Sequence, residues 1–320
     1  MKQETHTAIL NHLNAEAYKN DLTQVEVLKS LCEKFTYDAT ILKQIHQQYM
    51  QNFMMHNAPA RYAYLDMKFS KNKEFNLKIE DIKIIINENK GVPVAWLLKN
   101  ILLKSNFWNK LKKTYKDVKM RNTNGALISQ SGQTQISKYG WTHTFDLLAQ
   151  MKKSETLGNE LIEIVKLIVK LSDEDITFGQ MAIANAQLEG QTCEKNIAKW
   201  LQEQGVSYLP QHELHLHGYD RTPDFLLDVP VIINFKWSGE KEVQSMIIKW
   251  IESKSMFGDR ETVVKHYKDQ LEPYFQRFGA GIVIYFKDCV EEIQKQFSTN
   301  SLRILTELPE SVTLHSCLQK

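Results

Sequence analysis

The sequence predicts a multidomain α+β protein in which an all-helical N-terminal region precedes a mixed sheet flanked by helices. Two observations lead to this prediction. In the first half of the chain, apolar residues recur every three to four positions, as they do on the buried face of a helix. From about residue 177 onward, short apolar runs bounded by glycine and proline alternate with helical patterns in the order α-β-β-β-α-β. That order is typical of a mixed sheet packed against helices.

The N-terminal region is predicted to be helical from residues 6 to 60, with Thr23 as a helix cap and Glu26 completing a capping box. Two further helices are expected over residues 78–87 and 92–103, joined by a Lys-Gly turn. This pair has the pattern of a helix-turn-helix module, although simple packing in a helical bundle explains it as well.

The C-terminal region is predicted to contain both helices and strands, and the chain is divided accordingly. The predicted domains are a helical, helix-turn-helix-like nucleic-acid-binding region over 1–121, a linker and bridging helix over 122–176, and the mixed-sheet domain over 177–320. Helices are expected over 189–204, 261–278 and 289–297, and strands over 206–209, 213–216, 281–286 and 303–305, with one strand beginning at residue 224 and one ending at 254.

A pair of short motifs carries the chemistry. Thr222-Pro223-Asp224 begins one apolar run, and Glu252-Ser253-Lys254 ends another. On a strand, Glu252 and Lys254 project from the same face, so two strand ends can bring both carboxylates and the ammonium together. Hard oxygen ligands of this kind hold Mg²⁺, which helps to hydrolyse phosphodiesters. Lys254 would orient the attacking water and offset phosphate charge. For Asp224 the alternative is a turn cap, and for the Glu-Lys pair an exposed ion pair.

The extended string resembles a known family. Residues 218–227, 250–254, 257–259 and 277–285 are similar to the TPD-motif family of PD-(D/E)xK nucleases, the codanin-interacting nuclease family. The resemblance implies a restriction-endonuclease-like core and a Mg²⁺- or Mn²⁺-dependent endo- or exodeoxyribonuclease. It also implies branched or flapped DNA as a substrate, with Asp224, Glu252 and the Ser253 backbone carbonyl as metal ligands. The other implication is an interaction module with little or no activity that binds nucleic acid or a codanin-like protein.

The same resemblance extends to two helices. It maps an acidic metal ligand onto Glu194, with Glu189 as the less favoured candidate. In the second helix, Gln270 and Tyr274 stand four residues apart on one predicted face, similar to a Gln-x-x-x-Tyr signature that touches DNA phosphate or orients the lysine. Pro273 interrupts that helix, and Tyr274 packing in the core is the alternative.

Composition indicates an intracellular protein, and the local charge distribution leaves a phosphate-binding surface open. The net charge is only +2, but residues 68–121 hold 14 Lys and Arg against 5 Asp and Glu. This excess suits phosphate binding, for which Lys110, Lys112 and Lys113 are the candidates, although a solvated helix face is an equal alternative. The four cysteines lack the pairing of a metal or disulfide framework, and no apolar run is long enough to span a bilayer. A DNA substrate implies the nucleus, with the cytoplasm as a second location.

A histidine cluster offers another metal hypothesis. His212, His215 and His217 follow a His-x-x-His-x-His pattern, but on a strand only His215 and His217 share a face, and no cysteine lies nearby to complete a zinc site. A solvated strand face is the preferred interpretation.

Overall fold

The computed structural model describes residues 1–17, 22–69, 78–89, 92–98, 159–236 and 242–314. The chain divides into two compact units. Unit 1 comprises residues 1–11, 36–45 and 186–320, and unit 2 comprises residues 12–35 and 46–185. Each unit therefore draws on segments that are distant in sequence.

The described secondary structure alternates between helices and short strands in its second half. The helices are α1 (Gln3–Ala17), α2 (Gln24–Lys34), α3 (Ala39–Phe69), α4 (Ile79–Glu88), α5 (Asn159–Asp173), α6 (Gln180–Glu203), α7 (Gln211–Leu216), α8 (Arg260–His266), α9 (Glu272–Phe278) and α10 (Glu291–Phe297), with a π turn over Tyr267–Leu271. The strands are β1 (Tyr208–Pro210), β2 (Phe225–Phe235), β3 (Gln244–Lys254), β4 (Gly281–Tyr285), β5 (Leu302–Leu305) and β6 (Ser311–Leu314).

The strands of unit 1 form one six-stranded mixed sheet. Its order is β1-β2-β3-β4-β5, with β6 also pairing with β2. β1, β3 and β6 run antiparallel to β2, whereas β4 runs parallel to both β3 and β5. Parallel neighbours need a crossover connection, which α8, the π turn and α9 supply between β3 and β4, and α10 supplies between β4 and β5. The predicted mixed α+β fold is confirmed in this coarse form.

One face of the sheet packs against α6. Ile197 and Leu201 of α6 are fully buried in a cluster with apolar residues of β2, β3 and β4. Because side chains alternate along a strand, Ile251 lies on this face and Glu252 on the other. The sheet thus separates an apolar α6 face from a face that carries Glu252 and Lys254 at the end of β3.

The N-terminus is part of unit 1. The amino group of Met1 is buried and donates to the Cys289 carbonyl at 2.9 Å and to the Asp288 carboxylate at 3.0 Å. Glu291 in turn donates its backbone N–H to the Met1 carbonyl at 2.9 Å. These contacts attach the start of the chain to the loop that leaves β4.

Unit 2 is helical in the part of the chain that the structure describes. The predicted capping box is confirmed, since the Thr23 N–H donates to the Glu26 carboxylate at 2.7 Å and the Glu26 N–H donates to the Thr23 hydroxyl at 3.3 Å. At the end of α5, the buried Asp175 carboxylate accepts the backbone N–H groups of Ala95, Thr177 and Phe178 at 2.7–2.8 Å. Burial raises the pKa of Asp175 despite these bonds.

Several predicted elements differ from the structure. The strand expected over residues 213–216 is wrong, because this segment lies in α7, where Leu214 is the buried residue and the three histidines are exposed. β2 continues through Pro230 to Phe235, and β6 was not anticipated. The predicted linker core around residues 122–139 lies outside the described residues. Within the described part of the chain, no helix combines the length and apolarity needed to cross a membrane.

Candidate active site

The two strand ends that carry the acidic motifs meet. β2 and β3 pair so that Phe225 stands opposite Ile251 and Leu226 opposite Trp250. Continuing this register by one residue sets Asp224 beside Glu252. The Asp224 N–H accordingly donates to Oε2 of Glu252 at 3.2 Å. The antiparallel pairing therefore brings both carboxylates to one edge of the sheet, 28 residues apart in sequence.

Ser253 fixes the orientation of the Asp224 side chain. Both its backbone N–H and its hydroxyl donate to Oδ2 of Asp224, each at 2.7 Å. The sequence assigned Ser253 a backbone-carbonyl role only, and its two donors add a direct hold on the neighbouring carboxylate.

Lys254 is held between two oxygen acceptors. Its Nζ donates to Oε1 of Glu252 at 2.6 Å and to Oε1 of Gln270 at 2.7 Å, and its side chain is only 14% exposed. Charge-assisted bonds of this length are among the stronger hydrogen bonds in proteins. The ammonium is therefore positioned beside the carboxylates, with Gln270 reaching it from the π turn.

The electrostatics of Glu252 favour a nearby cation. Burial, followed by the negative charge of Asp224, raises the pKa of Glu252 to about 7, and the ammonium of Lys254 opposes this shift. The Glu252 side chain is 3% exposed. Neighbouring carboxylates that are shielded from water repel each other, and a positive charge within a few ångströms reduces this repulsion. Lys254 supplies one positive charge, and a divalent cation would supply more.

The two acidic candidates on α6 lie in different surroundings. Partial burial, followed by the charge of Asp224, raises the pKa of Glu194. Glu189 instead forms an ion pair with Lys287 at 3.4 Å. The metal-ligand role of Glu194, and Glu189 as the less favoured candidate, stay predictions.

Pro273 does not disrupt the second predicted helix, because a π turn ends just before it and a new helix begins there. The turn ends at Leu271, and Pro273 falls in the first turn of α9, where a missing N–H is tolerated. Tyr274 is buried at 4% exposure and packs edge-on against Trp250, with ring centroids 5.5 Å apart. The packing alternative for Tyr274 is therefore favoured over contact with nucleic acid.

His266 and Tyr285 form a second hydrogen-bonded pair. The Tyr285 hydroxyl and Nδ1 of His266 are 2.8 Å apart. Burial and the charges of Lys254 and Lys265 lower the pKa of His266 to about 4, while burial raises the pKa of Tyr285. Both groups are therefore neutral near pH 7, so the hydroxyl can donate to the ring nitrogen. The TPD-like string ends at Tyr285, but no sequence pattern marked His266.

The donor set suits Mg²⁺ or Mn²⁺ better than a soft metal. Within the described residues, no group of three or more His, Cys, Asp and Glu side chains is gathered closely enough to hold a metal by itself. Mg²⁺ does not require such a cage, since it keeps several waters and binds through one or two carboxylates together with substrate phosphates. Asp224 and Glu252 fit that mode. The histidines at 212, 215 and 217 are exposed on and after α7.

The structure does not describe the three candidate phosphate-binding lysines. Lys110, Lys112 and Lys113 lie outside the described residues, so they stay predictions. Lys287 was missed, although a signal existed: it follows the apolar run of β4, which ends at the same edge of the sheet as Glu252 and Lys254.

Comparisons with known proteins agree with the sequence resemblance. A family model described as "Protein of unknown function TPD sequence-motif" matches residues 162–306. Three similar proteins are named CDAN1-interacting nuclease 1: one from Xenopus tropicalis (36% identical over 130 residues), one from Homo sapiens (35% over 119) and one from Danio rerio (30% over 150). The resemblance to the TPD-motif family is confirmed over the matched residues.

These matches are partial. They cover 40%, 37% and 47% of this chain, and 39%, 39% and 46% of the three relatives. The chain thus aligns with less than half the length of each relative. No solved structure matches the chain.

Proposed function

From the TPD motif in residues 162–306 and the geometry around Asp224, we propose that this protein is a metal-dependent nuclease that hydrolyses phosphodiester bonds of DNA. One observation carries the proposal: at one edge of the sheet, the Glu252 carboxylate accepts hydrogen bonds from the Asp224 backbone N–H and from the Lys254 ammonium. An exposed ion pair would not explain why Glu252 is buried, since burying a charge is costly unless it is paired or binds a metal.

In the proposed reaction, Asp224 and Glu252 would hold Mg²⁺ or Mn²⁺, and the Ser253 carbonyl and Glu194 would be further oxygen ligands. When bound, such an ion stabilises charge at phosphorus and lowers the pKa of a coordinated water. Lys254 offsets charge on the scissile phosphate and orients the attacking water. Gln270 keeps the ammonium in place through its 2.7 Å contact. Both endo- and exonucleolytic cleavage are compatible with these roles.

The wider fold proposals follow from the same family. The mixed sheet with helices on both faces supports a restriction-endonuclease-like core. α4 and the helical residues 94–98, which follow it in unit 2, support the helix-turn-helix assignment. Lys110, Lys112 and Lys113 would add phosphate contacts, and branched or flapped DNA would be the preferred substrate. DNA as substrate places the protein in the nucleus, with the cytoplasm as a second location.

A second candidate function rests on the names of the relatives. Each is named for interaction with CDAN1. We propose that this chain also binds a codanin-like protein, either as an active nuclease or as an interaction module whose site has weak or no activity. Intact Asp224, Glu252 and Lys254 favour the active form, because a degenerate site has no reason to keep all three together.

Cleavage of a substrate panel tests the enzymatic proposal. Purified protein is incubated with labelled duplex, single-stranded, flap and four-way DNA in Mg²⁺, Mn²⁺ or chelator. We expect metal-dependent cleavage by the wild type, and loss of at least about 100-fold for Asp224→Ala and Glu252→Ala, the scale seen when one group that stabilises transition-state charge is removed. Asp224→Asn, which retains an acceptor for Ser253, should be inactive as well.

The matched control is Asp228→Ala, which removes an exposed carboxylate from the same strand four residues further on. It should cleave as the wild type does. Equal cleavage by the wild type and by both Ala variants at positions 224 and 252 would refute the nuclease assignment. A folded wild type that cleaves no substrate in any metal would favour the interaction module.

A further inference from the structure

Lys287 lies at the same edge of the sheet as the candidate active site. β4 is parallel to β3, with Tyr285 in register with Lys254. The backbone N–H of Phe286 donates to the Lys254 carbonyl at 2.9 Å, so the chain leaves β4 directly alongside the end of β3. Lys287 is the next residue. Lys287 thus lies two residues beyond the position that pairs with Lys254, and it has no part in the metal site proposed above.

The ammonium of Lys287 is held by α6. Its Nζ is 3.4 Å from Oε2 of Glu189, which also accepts the side-chain amide of Gln44 at 3.4 Å. The Lys287 side chain is 19% exposed and that of Glu189 is 40% exposed. The charge of Lys287 also reaches Cys193, the residue before Glu194, because it opposes the rise that burial causes in the pKa of that thiol.

Ordinary van der Waals contact brings the α6 end of this ion pair close to the end of β3. Gly190 follows Glu189, and a Cβ added there would lie 3.7 Å from the Ser255 hydroxyl, so α6 touches the chain just after Lys254. The pair therefore links α6, which also carries Glu194, to the segment that leaves β4 alongside the end of β3.

The energetics allow the pair to open. Because Glu189 is 40% exposed, water reaches the pair and screens the attraction, and ordering both side chains costs entropy. A phosphate oxygen is a strong acceptor for an ammonium, and lysine binds it as a compact point charge. A phosphodiester at this edge can therefore replace Glu189 as the partner of Lys287 with little loss from the broken pair.

We propose that Lys287 binds a backbone phosphate of the DNA beside the scissile bond, on the α6 side of the sheet edge, and that Glu189 competes for it in the free protein. This inference rests on the proposed nuclease function. It makes Lys287 a substrate-positioning residue and Glu189 a residue that weakens binding.

Opposite effects of two substitutions test this proposal. Equilibrium binding of labelled duplex DNA is measured in chelator over a range of salt concentrations, so that no cleavage occurs. Lys287→Ala should weaken binding by about tenfold, the order of one charge-assisted hydrogen bond, and lower the slope of log K against log salt by about 0.9. Glu189→Gln should tighten binding by a few-fold. Lys287→Arg should restore most of the affinity.

Kinetics and a control pair separate this role from a structural one. With metal, Lys287→Ala should raise KM more than it changes kcat. The control is Lys236 with Glu310, an ion pair of 2.5 Å in the same unit at the opposite end of β2. Lys236→Ala and Glu310→Gln should alter neither affinity nor salt slope. If the Lys287–Glu189 pair were only structural, both of its variants would lose stability alike and bind DNA as the wild type does, which would overturn the inference.

The outcomes distinguish this inference from the function on which it rests. A wild type that binds DNA but does not cleave it refutes the nuclease proposal, while the binding comparison still decides the role of Lys287. A wild type that cleaves, together with unchanged binding by Lys287→Ala, refutes the role of Lys287 alone. A wild type that binds no DNA overturns both.

Discussion

The stability of this protein should fall in mild acid because of one buried histidine. His46 in α3 is fully buried, and neither of its ring nitrogens has a hydrogen-bond partner among the described residues. Burial lowers its pKa from 6.5 to about 4. As the pH falls below 6.5, the unfolded chain therefore takes up a proton at this residue before the folded protein does. Proton uptake then favours unfolding.

The size of the effect follows from the shift in pKa. One pKa unit corresponds to about 1.4 kcal/mol, so the full contribution below pH 4 is about 3.4 kcal/mol. Between pH 7.5 and 5.5, linkage gives a loss of about 1.3 kcal/mol in the free energy of unfolding from His46 alone. Other titrating groups add their own terms, so the comparison must be made with variants that lack only this histidine.

Urea denaturation of the wild type, His46→Leu and His46→Gln at pH 7.5 and 5.5 measures the contribution of His46 to the free energy of unfolding. The two variants will differ from the wild type by unequal constant offsets, because leucine and glutamine pack differently. Both should nevertheless lose about 1.3 kcal/mol less than the wild type between the two pH values. If the wild type and both variants showed the same pH dependence, His46 would not be a buried neutral group, and the reasoning would be wrong.

Two further predictions concern unit 2 and the basic segment. Asp175→Ala should destabilise the protein by about 3 kcal/mol, since it leaves three backbone N–H groups without their acceptor. Asp175→Asn, which keeps one acceptor oxygen, should cost clearly less in the same denaturation experiment, and equal losses would contradict the hydrogen-bond explanation. Reversing the charges of Lys110, Lys112 and Lys113 to glutamate should weaken DNA binding and flatten its salt dependence; unchanged binding would assign these lysines to solubility.

The candidate site could be located from sequence because its residues sit at the ends of strands. Alternation along a strand predicts that Glu252 and Lys254 share a face, and the apolar runs on either side predict that two strand ends meet. The sequence spacing did not reveal the strand register that places Asp224 beside Glu252. It also did not reveal that Ser253 donates hydrogen bonds to the Asp224 carboxylate. Register depends on long-range pairing, and no local pattern encodes it.

Other features escaped prediction for different physical reasons. α7 is six residues long with one buried residue, Leu214, so its periodicity is too short to distinguish a helix from a strand. β2 continues past Pro230 because its pairing with β3 shifts register between Leu226 and Val231, and such an irregularity tolerates a residue without an N–H. The burial of the Met1 amine in unit 1 depends on a contact between residues 287 positions apart in sequence, which no local pattern reveals.

The π turn determines which residues of the crossover segment between β3 and β4 point to the same side. In an uninterrupted α-helix at about 100° per residue, His266 and Tyr274 would point about 80° apart. The π turn accommodates one extra residue, so the eight steps between them amount to about 700°, within about 20° of two full turns. His266, Gln270 and Tyr274 can therefore reach Tyr285, Lys254 and Trp250 from a single side. Removing one residue from the turn would rotate Tyr274 away from the indole or Gln270 away from the lysine, so the length of this segment is constrained as tightly as its composition.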